Sequence, residues 1–270
     1  MQPSILGLGT WGMEWDDRAE VTRAIHKAID LGMTHIDTAE MYGSGKVEEI
    51  LGTVLEGKRD QVFLVSKVLP SNATYDGTIR ACERSLRRLK TDHLDCYLLH
   101  YLGDHPLEET IRAFETLQQT GKIQSYGVSN FNLDQVRNAT RISNNKIACN
   151  QVLYHLEERG IEHYVIPGCR ELGISVVAYS PLAQGKFPPK DPMKSAVLTE
   201  IARAHNVTPA QVALAFVIRD PNLLAIPKSG SVRHVVENAG VTSVHLTEDE
   251  IAKLDLAFPK GPVRNDVPML

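Results

Sequence analysis

Eight short apolar, often β-branched runs recur along the chain. They begin near ILGLGT (5), THIDTA (34), VFLVSK (62), LDCYLLH (94), IQSYGVS (123), ACNQVLY (148), ISVVAYS (174) and LLAIPKS (223). Each has the length and composition of a strand. Most starts lie 25–33 residues apart, room for one strand, one helix and two short loops. The seventh interval is longer and leaves space for an extra helix. The intervals carry helical periodicity. AEVTRAIHKAIDLG repeats apolar residues at helical spacing and stops at Gly32; KVEEILGTVLEG stops at Gly57 and LEETIRAFETLQQTGK at Gly121. TPAQVALAFVIRD opens with Thr208 as N-cap and Pro209 at the first helical position. LTEDEIAKLDLAF opens with Thr247 and Glu250 at capping-box spacing.

Strands that alternate with helices predict a parallel sheet. Eight such units over about 250 residues predict an α/β fold, a (β/α)8 TIM barrel, as a single domain over residues 1–270. A doubly wound open sheet is the runner-up. It rarely needs eight evenly spaced repeats, and no composition shift marks a domain boundary. The Pro-rich GKFPPKDP (185–192) reads as a surface loop after the seventh strand.

Composition narrows the functional classes. The chain is 43% hydrophobic and 23% charged, with a net charge of −4, which points away from nucleic acid or an anionic membrane as partner. The basic run RSLRRLK (84–90) closes a helical pattern and reads as cations on a solvated helix end. The four cysteines, Cys82, Cys96, Cys149 and Cys169, form no C-x-x-C pair and read as free thiols, most of them buried. No basic segment precedes an apolar run, and no window approaches a membrane span. The expectation is a cytoplasmic monomer that acts on a small molecule and holds no metal.

In a barrel of this kind, chemistry gathers at the C-terminal ends of the strands. The second strand ends in Asp37, the third in Lys67 and the fourth in His100; Tyr42 follows the second by one tight loop. Each residue has an ordinary structural alternative: a helix cap, a snorkelling lysine, a core histidine, a pocket wall. Four such placements on one rim point instead to proton transfer to a carbonyl oxygen. A lysine ammonium beside a tyrosine favours the phenolate and so lowers the phenol pKa. Asp37 would hold Lys67 charged, and His100 would orient the substrate oxygen.

Gly7, Gly9 and Gly12 also spell G-x-G-x-x-G, a dinucleotide fingerprint when a helix opens within it. Here MEWDDRAE intervenes, and Glu14, Asp16 and Asp17 stand where a phosphate would sit. The match therefore reads as accidental, with the glycines letting backbone crowd the barrel mouth.

The same residues carry a family resemblance that runs nearly end to end. IDTAEMYGSGKVEEILG, VFLVSKV, LDCYLLHY, GKIQSYGVSNF, NQVLYHL, AYSPLAQG and AIPKSGSVRHVVEN occur in order. The chain resembles the aldo-keto reductases, and most of all bacterial members described as methylglyoxal reductases. The resemblance implies NADPH-dependent reduction of aldehydes and ketones to alcohols, with small reactive aldehydes such as methylglyoxal among the substrates. It implies a tetrad of Asp37, Tyr42, Lys67 and His100, with Tyr42 as proton donor. It further implies that Ser129, Asn130 and Gln151 bind the nicotinamide carboxamide and that Tyr179 stacks on the ring. Ser180, Leu182 and Gln184 would pass the pyrophosphate, Lys228 and Ser229 would meet the 2′-phosphate, and Glu237 and Asn238 the adenine. Thr10 and Trp11 would lie beside the nicotinamide and the substrate, and Asp37 borders the cofactor as well.

The sequence departs from the family pattern in places. His234 stands where the family usually has an arginine, with Arg233 one residue earlier. An arginine fork binds a phosphate better than an imidazole, so NADPH preference with some tolerance of NADH is expected. Tyr101 follows the catalytic histidine where a tryptophan is usual; Trp11 and Tyr101 are the expected substrate contacts, and Trp15 has no certain counterpart. The segments before the first strand and after the last helix are short, which predicts a reduced bottom hairpin and an open site. Two rivals remain: a Schiff-base lyase using Lys67, which Asp37 disfavours by keeping the amine charged, and a cofactor-binding regulatory subunit.

Overall fold

The computed structural model describes residues 2–185 and 187–270. Lys186, within the predicted 185–192 surface loop, lies outside the described residues. All eight predicted strands form: β1 (Leu8–Gly9), β2 (His35–Asp37), β3 (Phe63–Val68), β4 (Leu94–Leu99), β5 (Ile123–Ser129), β6 (Ile147–Leu153), β7 (Ser175–Tyr179) and β8 (Leu223–Ile226). They pair in chain order, and every pairing is parallel. The sheet closes on itself. The Gly7 amide donates to the Ala225 carbonyl at 2.8 Å, the Ala225 amide to the Ile5 carbonyl at 2.9 Å, and the Gly9 amide to the Pro227 carbonyl at 3.1 Å. The fold is a (β/α)8 barrel.

That closure explains two of the three opening glycines. A Cβ on Gly7 would collide with the His35 backbone of β2, and one on Gly9 with the Ile226 carbonyl at the end of β8. Both serve the wall of the barrel, where β1 is squeezed between its neighbours. Gly12 alone behaves as expected, turning the chain at the mouth with a positive φ of 78°.

Ten helices surround the barrel among the described residues: α1 (Arg18–Asp30), α2 (Lys46–Val54), α3 (Tyr75–Leu89), α4 (Leu107–Gln119), α5 (Leu133–Ile142), α6 (Val165–Glu171), α7 (Pro192–His205), α8 (Pro209–Val217), α9 (Val232–Ala239) and α10 (Glu248–Ala257). α7 is the extra helix that the long seventh interval allowed. Thr208 caps α8 with Pro209 at its first position, and Thr247 and Glu250 form the capping box of α10. The main core lies between strands and helices, and two smaller clusters, around Val65–Cys96–Leu98 and Val177–Leu224–Ile226, fill the barrel interior. Cys82, Cys96 and Cys169 are buried free thiols and Cys149 is half-buried. Among the described residues no helix is long and apolar enough to cross a membrane.

The basic run differs from expectation. It ends α3 as predicted, but Arg84 reaches Glu40 at 3.3 Å and Arg88 reaches Glu48 at 2.9 Å, both buried carboxylates. A spacing of four residues puts both arginines on one helix face, and that face is turned toward α2 and the loop carrying Tyr42.

Candidate active site

Side chains alternate across a strand, so each strand sends one column of residues into the barrel. For β2 to β8 the columns are His35–Asp37, Phe63–Val65–Lys67, Cys96–Leu98–His100, Ser125–Gly127–Ser129, Cys149–Gln151, Ser175–Val177–Tyr179 and Leu224–Ile226–Lys228, some running just past the strand end. The lower members border a small internal cavity of about 50 Å³. The upper members, apart from the deeper Lys67, line an open cleft of about 1030 Å³. The lower barrel mixes apolar residues with His35, Ser125 and Ser175, and every one of these columns ends in a polar group.

Four of those groups converge. Lys67 is fully buried, and its Nζ donates to Asp37 Oδ1 at 2.6 Å, to the Thr38 carbonyl at 2.8 Å and to Tyr42 Oη at 3.2 Å. The Lys67 ammonium also sits over the Tyr42 ring, 5.0 Å from its centre. His100 packs edge-on against Tyr42 with ring centres 6.0 Å apart. The second Asp37 oxygen accepts from Gln151 Nε2 at 2.7 Å.

Burial sets the electrostatics. Desolvation alone would pull the Lys67 ammonium down, but Asp37 and Tyr42 reverse this and its pKa rises. Burial pushes the Tyr42 phenol up, and the opposing pull of Lys67 is smaller, so its pKa lies above the usual value. This corrects the expectation of a lowered phenol: Lys67 does pull the pKa down, but burial outweighs it. Burial, helped by Lys67, pushes His100 down to about 3. Its imidazole is therefore neutral.

The neighbouring strand ends form a linked polar wall. Ser129 Oγ donates to the Gln151 carbonyl at 2.9 Å, Asn130 Nδ2 to the His100 carbonyl at 3.0 Å, and Tyr179 Oη to Asn130 Oδ1 at 2.9 Å. Asn130, Ser180 and Gln184 hold positive φ values of 62°, 50° and 54°, uncommon for non-glycine residues and typical of constrained functional loops. Thr10 is buried and donates to the Asp37 carbonyl at 2.8 Å.

Ser180, Leu182, Gln184, Lys228, Ser229 and His234 also line the cleft, as do Trp11, Trp15 and Tyr101. Arg233, Glu237 and Asn238 do not line it. Arg233 Nη2 meets His234 Nε2 at 3.0 Å, and Glu237 accepts from Thr208 Oγ1 at 2.6 Å. The short final segment does not leave the mouth bare, since Met269 and Leu270 border the cleft.

The sequence model described as the Aldo/keto reductase family matches residues 5–257. The chain belongs to this family. It is an NAD(P)H-dependent oxidoreductase. The methylglyoxal reductase YeaE of Escherichia coli (strain K12) is 48% identical over 267 residues, covering 97% of this chain and 94% of the relative. The glyoxal reductase of Bacillus subtilis (strain 168) is 35% identical, covering 92% of this chain and 87% of its own. A solved aldo/keto reductase from Klebsiella pneumoniae, in complex with NADP and acetate, matches with a TM-score of 0.94 at 44% identity, covering 98% of this chain and 95% of that one.

Two buried carboxylates not singled out from the sequence support this site. Glu40, inside DTAEMY, accepts from the Leu69 amide at 2.8 Å, from Asn72 Nδ2 at 2.9 Å and from Arg84. It thereby ties the Tyr42 loop to the segment after β3. Glu48 is fully buried and accepts from Ser66 Oγ at 2.7 Å, fixing α2 against the strand that carries Lys67. A carboxylate in an otherwise apolar helical face, as Glu48 is in KVEEILG, is the signal that could have found this buried partner.

Proposed function

We propose that the protein reduces aldehydes and ketones to alcohols with NADPH, and that small reactive aldehydes such as methylglyoxal are its substrates. The observation that carries this reading is the Tyr42 hydroxyl 3.2 Å from the Lys67 ammonium, which Asp37 holds at 2.6 Å on the wall of the cleft. The substrate class follows the glyoxal- and methylglyoxal-reducing relatives and the aromatic rim of Trp11 and Tyr101.

The residues present fit the cofactor. The cleft has room for a dinucleotide and a small substrate. It offers the half-buried Tyr179 ring for a nicotinamide, amide and hydroxyl groups of Ser129, Asn130 and Gln151 for a carboxamide, and the Lys228 cation for a phosphate. Bound there, NADPH supplies a hydride to the carbonyl carbon. Tyr42 gives its proton to the carbonyl oxygen as negative charge builds on it, so the product is the neutral alcohol. Lys67 stabilises the phenolate left on Tyr42, and Asp37 keeps Lys67 charged. His100, neutral, donates one N–H to the same oxygen and orients it. The charged, triply hydrogen-bonded Lys67 disfavours Schiff-base chemistry.

The test is a panel of aldehydes and ketones with NADPH, run beside Tyr42→Phe. Turnover should fall about 10³-fold, while cofactor affinity, read by titration of tryptophan fluorescence, should hold. Equal rates for the variant and the parent would overturn the mechanism. NADPH should be preferred over NADH by kcat/KM because Lys228 is present, with NADH tolerated because His234 replaces the usual arginine; a clear NADH preference would refute this.

A further inference from the structure

The cation assigned to the phosphate already has an anionic partner within the chain. Lys228 Nζ donates to Asp16 Oδ2 at 2.5 Å, across the seam between the β1–α1 and β8–α9 segments. The Asp16 carboxylate lies against the bare backbone of Gly230, where a Cβ would collide with the same oxygen. One turn further, the Val232 amide at the start of α9 donates to Glu20 Oε1 at 3.0 Å, and Arg23 holds the other Glu20 oxygen. Asp16 and Glu20 both line the cleft beside Lys228, Ser229 and Ser231. Asp17 lines it too, but its side chain is spent capping α1.

We propose that Asp16 is a cofactor-specificity residue, which competes with a 2′-phosphate for Lys228 and accepts a hydrogen bond from a 2′-hydroxyl, narrowing the preference for NADPH over NADH. The inference rests on the cofactor reading above. A 2′-phosphate brings close to two negative charges to a place where Lys228 already holds the Asp16 carboxylate, while the nearby Glu20 is held by Arg23 and the Val232 amide. To reach Lys228 it must displace Asp16 or sit beside it against charge repulsion. The Asp16–Lys228 pair is about one-third exposed on each side, 32% and 37%, so it opens at small cost. Asp16 thus weakens binding of the phosphate without barring it. A ribose with a free 2′-hydroxyl meets the opposite situation. A carboxylate is the acceptor that NAD-binding βαβ units present to that hydroxyl, and here a barrel loop supplies one. His234 acts in the same direction, because an imidazole lacks the permanent charge of an arginine fork.

Two variants test this from opposite sides of the seam. Asp16→Asn keeps the shape and removes the charge; Gly230→Ala keeps the charge and removes its seat. Dissociation constants are measured by calorimetry for NADPH, NADH, 2′,5′-ADP and ADP, without turnover. The expected result for Asp16→Asn is about tenfold tighter NADPH and 2′,5′-ADP, with NADH and ADP, which both keep a free 2′-hydroxyl, no tighter than in the parent. Gly230→Ala should shift NADPH the same way by a smaller factor. Unchanged or weaker NADPH binding in Asp16→Asn would overturn the proposal, because Asp16 would then be positioning Lys228 for the phosphate. Equal tightening of NADPH and NADH would overturn it as well. If the parent bound neither NADPH nor 2′,5′-ADP, the cofactor reading would fail and this inference with it. A parent that binds NADPH, with a variant that does not differ, defeats this inference alone.

Discussion

The two ends of the cleft are both held by a lysine–aspartate pair, and the pairs are built differently. At the tetrad end Lys67 and Asp37 are 0% and 2% exposed, and every strong hydrogen-bonding group of the pair is engaged. At the β8–α9 end Lys228 and Asp16 join at a similar distance, but each is about one-third exposed. The first pair is a permanent part of the barrel, because separating two buried charges leaves each without water or its counter-charge. The second opens readily, since solvent screens it and can replace either partner. A proton donor needs a fixed electrostatic environment, whereas a cofactor that enters and leaves each cycle needs contacts that exchange. On the proposed reading, one residue pairing would serve chemistry at one end and exchangeable binding at the other, with burial deciding which.

The largest way to probe the contrast is at the rigid end. Tyr42→Phe should cost about 10³-fold in turnover with cofactor affinity intact, measured by steady-state kinetics beside a fluorescence titration. Asp37→Asn strands the Lys67 ammonium in the barrel and should destabilise the fold by about 3–5 kcal/mol, read as a lowered denaturation midpoint in urea. The matching Asp16→Asn should leave that midpoint nearly unmoved. Equal stability losses at the two sites would break the comparison.

A third test reaches the bottom of the Asp37 column. His35 is buried, packs edge-on against Phe63, and has no hydrogen-bond partner on either ring nitrogen among the described residues. Burial pushes its pKa down to about 4, whereas an unfolded imidazole titrates near 6.5. Between these values the unfolded chain binds more protons, so stability falls as pH is lowered from about 6.5 to about 4. His35→Phe should remove up to about 3 kcal/mol of that dependence, seen as a flatter plot of unfolding free energy against pH. An unchanged slope would show that other groups carry it. The smallest effect belongs to the exposed end. Lys228→Met should weaken NADPH binding by roughly 10-fold or more and NADH binding little, by calorimetry.

Much of this was legible in the chain. The eight strands, their spacing and the extra helix followed from periodicity and capping residues, which are local properties. Asp37, Lys67 and His100 were legible because a period of two carries an inward column to the strand end. What was not legible depended on contacts far apart in sequence. Arg84 and Arg88 looked like solvated helix cations, and only the packing of α3 turned them onto Glu40 and Glu48. Gly7 and Gly9 looked like mouth residues until β1 was seen wedged between β2 and β8. The direction of the Tyr42 shift was misjudged because a neighbouring charge is visible in a motif, whereas the depth of burial opposing it is not.

By itself, then, the sequence determined the alternation of strand and helix, the parallel order and the chemical identity of each strand end, since these follow from side-chain pattern within some thirty residues. The tertiary structure alone decided which charges lie in water and which do not. Lys67 meets Asp37 across 30 residues and Lys228 meets Asp16 across 212. Nothing in either residue type says that the first pair is sealed inside a barrel and the second opens to solvent. Closing the sheet sets that difference, because closure buries the inward columns and leaves the loops above them exposed.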